Sequence, residues 1–186
     1  MDDFTGGPLL DVGCGPVGLV HFLRQPELYG VDPLMTSYRE NGLVYPVSAA
    51  RCTDGFGEAL PMADNRFTIA VSLNALDHTL DPAQCVREMS RVLAPGGRLY
   101  LWVNVVRPVY AWLRGPANLV DLEHPHHFTA REVWSMIEEA GLRLARAETR
   151  IIDERLTLRR ALAAGRPKLY LANVTMVTWF GQAVKP

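Results

Sequence analysis

Two aspartates and three glycines near the start of the chain are the first residues that could do chemistry. In "LLDVGCGPVGLVHFL", residues 9–23, Gly13, Gly15 and Gly18 stand in a GxGxxG spacing directly after an apolar run, and Asp11 lies two residues before the first glycine. Glycines after a first strand let the backbone approach a nucleotide-type ligand at the C-terminal edge of an open α/β sheet. A carboxylate at that strand end repels a diphosphate and suits a ligand with an ammonium group and no phosphate. Asp32, in "YGVDP", ends a second apolar run, where it can accept hydrogen bonds from both hydroxyls of a ribose. The ligand implied is a nucleoside with a cationic tail.

Histidines supply the second set of candidates. Asp77 and His78 follow the run "FTIAVSL", so His78 is a candidate general base, with helix capping or packing as the structural alternative. His124, His126 and His127 cluster in "EHPHHFT". In an extended segment His124 and His126 face one side and His127 the other, so a metal site would need further ligands that the sequence does not supply. A gating loop, acceptor binding or proton removal by His126 remain as its readings. Cys14 reads as a small packing residue, because only a helix N-terminus is at hand to activate it. Three cysteines, Cys14, Cys52 and Cys85, with no CxxC pair, argue against a disulfide framework and a structural zinc, so no metal is expected.

The elements that must position these residues alternate between strand-like and helix-like patterns. Strands are expected at 8–12, 28–31, 67–73 and 98–105, with a weaker one at 47–52. Pro16 opens an expected helix over 16–23. Asp81, Pro82 and Gln84 make a helix start, and Cys85, Met89, Val92 and Leu93 recur at helical spacing until Pro95-Gly96-Gly97. Thr129 and Glu132 form a capping box, Phe128 and Val133 can staple it, and Gly141 stands at the stop. Residues 142–152 and 169–180 are β-rich and flank a short helix near 153–166, which predicts a terminal antiparallel hairpin.

A chain of 186 residues with 48% hydrophobic and 21% charged residues and a net charge of -1 is one globular domain with no bulk attraction to nucleic acid or anionic lipid. No apolar run is long enough to span a bilayer and no signal-peptide pattern opens the chain, so a cytoplasmic location is expected. The basic run Arg155, Arg159, Arg160, Arg166 and Lys168 reads as a solvated face, with an anionic acceptor as the sharper alternative. Tyr110, Trp112 and Trp134 read as core, with an aromatic acceptor pocket as the alternative.

"LLDVGCGPVG", "YGVDPL", "GEALPMADNRF", "VSLNALDH", "DPAQCVREMSRVLAPGGRLYL" and "HPHHFTAREVWSMIEEAGL" stand in the order and spacing of class I S-adenosylmethionine-dependent methyltransferases, and the chain most resembles their broad type 11 group. The resemblance covers most of residues 8–141. It implies an α/β, Rossmann-like three-layer sandwich whose seven-stranded, mostly parallel sheet has an antiparallel last strand. Residues 8–105 would be the cofactor-binding half and 106–186 the acceptor-side half. Asp11, Gly13, Cys14 and Gly15 would surround the methionine moiety, Asp32 the ribose, and Pro33 and Leu34 the adenine. Gly57 and Glu58 would lie in the adenine-side loop, and Leu73 and Asn74 would floor the sulfonium. S-adenosylmethionine is then the cofactor, S-adenosylhomocysteine its product, and a small molecule the acceptor of an O- or N-methylation.

Three departures mark the chain off. Phe56 occupies the slot where the family commonly has an acid for the adenine amino group, so Gly57 backbone or Asp54 would substitute; Thr68 replaces a frequent acid; and about seven residues precede the first strand, where relatives carry covering helices. A homodimer mate or partner chain would then cover the cofactor. A non-catalytic S-adenosylmethionine-binding module and an NAD(P)-dependent oxidoreductase are the alternatives.

Overall fold

The structure is a computed structural model that describes residues 6–24, 27–44, 50–113, 125–151, 157–165 and 167–186. His124, Arg155, Arg166 and residues 45–49, 114–124 and 152–156 of the segments discussed above lie outside the described residues.

Seven strands form one sheet: β1 (Leu9–Val12), β2 (Leu28–Val31), β3 (Arg51–Thr53), β4 (Phe67–Leu73), β5 (Leu93–Val106), β6 (Arg143–Arg150) and β7 (Met176–Val184). Their order is β3-β2-β1-β4-β5-β7-β6. β1 pairs in parallel with β2 and β4, β2 with β3, and β4 with β5. β7 runs antiparallel between β5 and β6. The Rossmann-like sheet with an antiparallel last strand is therefore present. The chain leaves β1 toward β2 and later returns to β4 on β1's other side, so the sheet's switch point, where such folds bind ligands, opens at the C-terminal ends of β1 and β4.

The α-helices are α1 (Met35–Glu40), α2 (Pro82–Val92), α3 (Ala130–Glu139), α4 (Leu158–Ala163) and α5 (Pro167–Thr175). In β5, Leu99, Leu101, Val103 and Val105 alternate onto one face, where they join Val86 and Met89 of α2 and Val133 and Ile137 of α3 in the larger core. The opposite face carries a smaller cluster built on Leu9, Cys14, Val20, Leu28, Met35, Ile69 and Val71.

Helix ends follow the sequence signals. The Asp81 side chain accepts from the Gln84 amide and Pro82 sits in the first turn of α2. Thr129 and Glu132 make the reciprocal capping box of α3, with Phe128 and Val133 in one core. At the other end, Gly141 N–H donates to the Glu138 carbonyl and Leu142 N–H to that of Ile137, a Schellman closure with Gly141 at φ 77°. Lys185, beyond β7, donates from Nζ to the Ser90 and Leu93 carbonyls and to Asn65, tying the chain end to the end of α2.

Four expectations need correction. The helix at 16–23 is only a 3₁₀ turn, Leu19–His21, since Gly18 is extended (ψ 172°) and pressed on the Cys14 carbonyl, where no helix can run through it. α2 stops at Val92 and β5 starts at Leu93, so the Pro95-Gly96-Gly97 stretch lies inside a strand and coincides with a register shift against β4. The β-rich reading of 169–180 is half wrong: Pro167 opens α5, whose Leu and Ala favour helix, and the strand begins only at Met176. Trp112 and Trp134, read as core, are 75% and 48% exposed.

Candidate functional site

The turn after β1 faces the switch point. Gly13 N–H donates to the Val31 carbonyl at 2.8 Å, which seats the turn on the end of β2. Gly13 has φ +74°, and a Cβ there would come 2.3 Å from the Ala75 Cβ, so the turn presses directly on the chain leaving β4. Gly15 has φ +52° and open space in front of it. Bare backbone therefore fronts the crevice, as a ligand-cradling turn requires.

Asp11 and Asp32 each hold part of this turn in place. Asp32 is buried; its Oδ2 accepts from Gly15 N–H at 2.9 Å and its Oδ1 from Leu34 N–H at 3.0 Å. A carboxylate has about four lone-pair sites, so these two bonds leave capacity for ligand hydroxyls. Asp11, 1% exposed, accepts from Val20 N–H at 3.1 Å. Burial pushes its carboxyl up to about 6; Val20 N–H opposes that shift and the Asp32 charge adds to it. Exposed Asp54 accepts from the Thr36 amide at 2.9 Å and from the Thr36 hydroxyl, and the hydroxyl bond holds its carboxyl below the usual range. Pro33 and Leu34, beside Asp32, are exposed.

Gly57 and Glu58 have structural duties. A Cβ at Gly57 would lie 2.5 Å from Cys85 Sγ, so this residue lets the loop pack on α2. Glu58 Oε1 accepts from the Leu80 and Asp81 amides at 2.7 and 3.2 Å, fixing the approach to α2. Cys14 is buried under the turn, and its thiol is pushed well up, first by its hydrogen bond with Cys52 and then by burial. That is the opposite of an activated nucleophile.

Beyond β4 lies a second shoulder of the crevice. Asn74 has φ 56° and donates its N–H to the Trp102 carbonyl at 2.7 Å. Its Oδ1 accepts from Asn104 Nδ2 at 3.1 Å, and Asn104 Oδ1 accepts from the Thr178 hydroxyl at 3.1 Å. This relay crosses β4, β5 and β7, and no local spacing in the sequence announces it. Asp77 is buried, and its Oδ1, like Ser72 Oγ and Trp102 Nε1, has no hydrogen-bond partner among the described residues.

The candidate histidines meet near this shoulder. His78 is exposed at the end of the 3₁₀ turn Leu76–His78. His126 Nε2–H donates to the carbonyl of Thr79, the next residue, at 2.9 Å, and its ring stacks on Phe128 at 5.7 Å. His127 is buried. His126, His127, Phe128 and Glu132 line a shallow groove at the start of α3.

Comparison with known proteins defines the class. Residues 10–101 match the family model of a methyltransferase domain. Over 92 residues the chain is 36% identical to the uncharacterized protein YafE of Escherichia coli strain K12, an alignment covering 47% of this chain and 44% of that one. The [4+2]-cyclase SpnF aligns over 97% of this chain and 75% of its own, with a TM-score of 0.73 at 23% identity. The geranyl diphosphate C-methyltransferase of Streptomyces coelicolor A3(2), solved with Mg2+, geranyl diphosphate and S-adenosylhomocysteine, covers 97% of this chain and 73% of its own, with a TM-score of 0.71 at 15% identity. At these identities the structural likeness establishes the fold. The family-model match, the methyltransferase relatives and the shared fold together support a class I S-adenosylmethionine-dependent methyltransferase. It spans half or less of the length of the curated relatives it matches. Among the described residues no helix is long and apolar enough to cross a membrane.

Proposed function

We propose that this chain binds S-adenosylmethionine at the C-terminal ends of β1, β2 and β4 and transfers its methyl group to oxygen or nitrogen of a small-molecule acceptor. The observation that carries this reading is Asp32. Its carboxylate is already fixed by the Gly15 and Leu34 amides at the end of β2, next to the open face of Gly15, so it can receive ribose hydroxyls without rearrangement. The chemistry of the turn suits this ligand: a cationic, phosphate-free nucleoside is compatible with Asp11, whereas a dinucleotide would lay its diphosphate beside it.

In this reading Gly13, Cys14 and Gly15 line the amino-acid tail through their backbone, and Asp11 supplies the field that favours its ammonium. Pro33 and Leu34 flank the adenine, with Asp54 or the Gly57 backbone toward its amino group. Glu58 holds the adenine-side loop through Leu80 and Asp81. Leu73 and Asn74 floor the reacting end, where the Asn104–Thr178 relay fixes Asn74. Bound S-adenosylmethionine supplies an electrophilic methyl on a positive sulfur, so the chain's own work is alignment and exclusion of water. For a hydroxyl acceptor, His78 takes the proton, and His126, tied to the Thr79 carbonyl, positions that segment. Residues 8–105 form the cofactor half and 106–186 the acceptor half of one domain. In this reading a second copy or partner chain packs on the exposed Val17, Phe22 and Leu34.

Calorimetric titration with S-adenosylhomocysteine and with NAD tests the ligand; preferential NAD binding overturns it. Labelled S-adenosylmethionine incubated with extract then identifies what takes up the methyl group. His78→Ala should lower the rate by about 10²-fold or more for a hydroxyl acceptor, with unchanged S-adenosylhomocysteine affinity. One second reading has a specific observation behind it: the same fold carries a [4+2]-cyclase. Retained affinity with no methyl uptake by any acceptor favours a module that binds the nucleoside without using it.

A further inference from the structure

The smaller face of the sheet gathers three soft donors that no sequence spacing links. Cys14 comes from the turn after β1, His21 from the following 3₁₀ turn, and Cys52 from the middle of β3. The two sulfurs and one ring nitrogen of His21 all lie within 4.8 Å of one another. Cys14 and His21 are buried and Cys52 is half-buried. We propose that Cys14, His21 and Cys52 form a binding site for one soft divalent cation, with zinc as the reference ion.

The space between the donors exists because residue 30 is glycine. Gly30 lies on β2 opposite Cys52 in register. A Cβ there would sit 2.7 Å from Cys14 Sγ and 2.8 Å from Cys52 Sγ, so any other side chain would fill the gap between the two sulfurs. Zinc bonds of about 2.3 Å to sulfur and 2.0–2.1 Å to nitrogen put tetrahedral donors roughly 3.5–3.8 Å apart. The donors present therefore need to close by about 1.3 Å at most, a side-chain adjustment.

The surroundings also suit a cation. Asp11 and Asp32 lie close enough for their charges to act on the Cys14 thiol. His21 Nε2 lies 3.2 Å from the Gly15 carbonyl; a hydrogen bond there would orient the ring with Nδ1 as the nitrogen offered to the ion. Two thiolates and a neutral imidazole would neutralise the dication and release the thiol protons. Three protein donors leave a fourth position for water, the ligand count of an exchangeable site rather than a closed structural one. An ion there would tie the glycine turn to the edge of the sheet.

Cobalt(II) titration of the anaerobic, reduced protein reads the donors directly. The expected result is saturation at one equivalent, thiolate-to-cobalt charge-transfer bands with tetrahedral visible bands, and displacement by zinc. Cys52→Ser should remove about half of the charge-transfer intensity, and the Cys14→Ser/Cys52→Ser pair all of it. His21→Gln and Gly30→Ala should each weaken cobalt binding at least tenfold, with circular dichroism and melting curves verifying that the variants fold. Cys85→Ser should change nothing, since Cys85 lies on α2, buried against Gly57 in the larger core on the other face of the sheet. Bands that persist in the double variant, bands that depend on Cys85, or a reduced wild-type protein that shows no saturable bands would overturn the site.

Discussion

The two shoulders of the crevice treat their polar groups in opposite ways. On the glycine-turn side, Asp11, Asp32 and Asp54 each accept backbone hydrogen bonds from the loops around them. On the other side, Asn74 is held in a left-handed conformation by a side-chain relay, while Ser72 Oγ on β4, Asp77 Oδ1 beyond it and Trp102 Nε1 on β5 are buried without partners among the described residues. A self-satisfied turn is preorganised for one fixed ligand, and its rigidity does not depend on what else is bound. A shoulder with unpaired buried groups keeps a desolvation cost in place, which identifies it as the part shaped by something other than its own stability.

Asp32→Ala gives the largest expected effect, because it removes both the Gly15 and Leu34 anchors and the acceptor for ribose. S-adenosylhomocysteine affinity should fall about 100-fold or more, roughly 3 kcal/mol for lost bonds to a charged group, measured by calorimetry. Unchanged affinity for both Asp32→Ala and Asp11→Ala would put the pocket elsewhere and dissolve the contrast between the shoulders.

Asp11 sharpens the same contrast through pH. Its folded pKa of about 6 lies above the ordinary 3.8, so the folded chain binds more protons than the unfolded one between these values. Stability contributed by this group therefore falls as pH rises from about 4 to 6, and above that the full cost is present, about 3 kcal/mol. Asp11→Asn should flatten the profile and raise stability at neutral pH, read by urea unfolding at both ends of the window. A bound ammonium favours the ionised carboxylate, so S-adenosylhomocysteine affinity should rise over the same window in the wild type and not in the variant.

The other shoulder is expected to respond less. Asn104→Ala leaves Asn74 and Thr178 without their shared partner and should cost about 1–3 kcal/mol in urea unfolding, with cofactor affinity changed only slightly. Ser72→Ala should be neutral or stabilising by up to about 1 kcal/mol, since its buried hydroxyl bonds to nothing among the described residues. A clear loss of stability in Ser72→Ala would show that this shoulder is as self-satisfied as the turn.

Local chemistry was legible wherever the signal and its effect lie within a few residues. The Asp81 cap, the Thr129–Glu132 box, the Gly141 stop and the strand ends at Asp11 and Asp32 could all be read from spacing, because each is a short-range bond or a steric rule. Residues 169–175 misled because an apolar run without alternation suits a helix as well as a strand, and only the length of β7 beside β5 sets the boundary.

The sequence by itself determined the parallel core, the glycine turn and the two acids at its mouth, since hydrophobic periodicity and glycine geometry are written in consecutive residues. Tertiary structure alone decided that Asp11 would be buried on Val20, that Asn74 would lean on Asn104 and Thr178, and that Cys14, His21 and Cys52 would meet over Gly30. Those contacts join residues 7 to 74 positions apart. Which of them form is fixed by strand order and register, which the sheet sets as a whole and no single segment encodes.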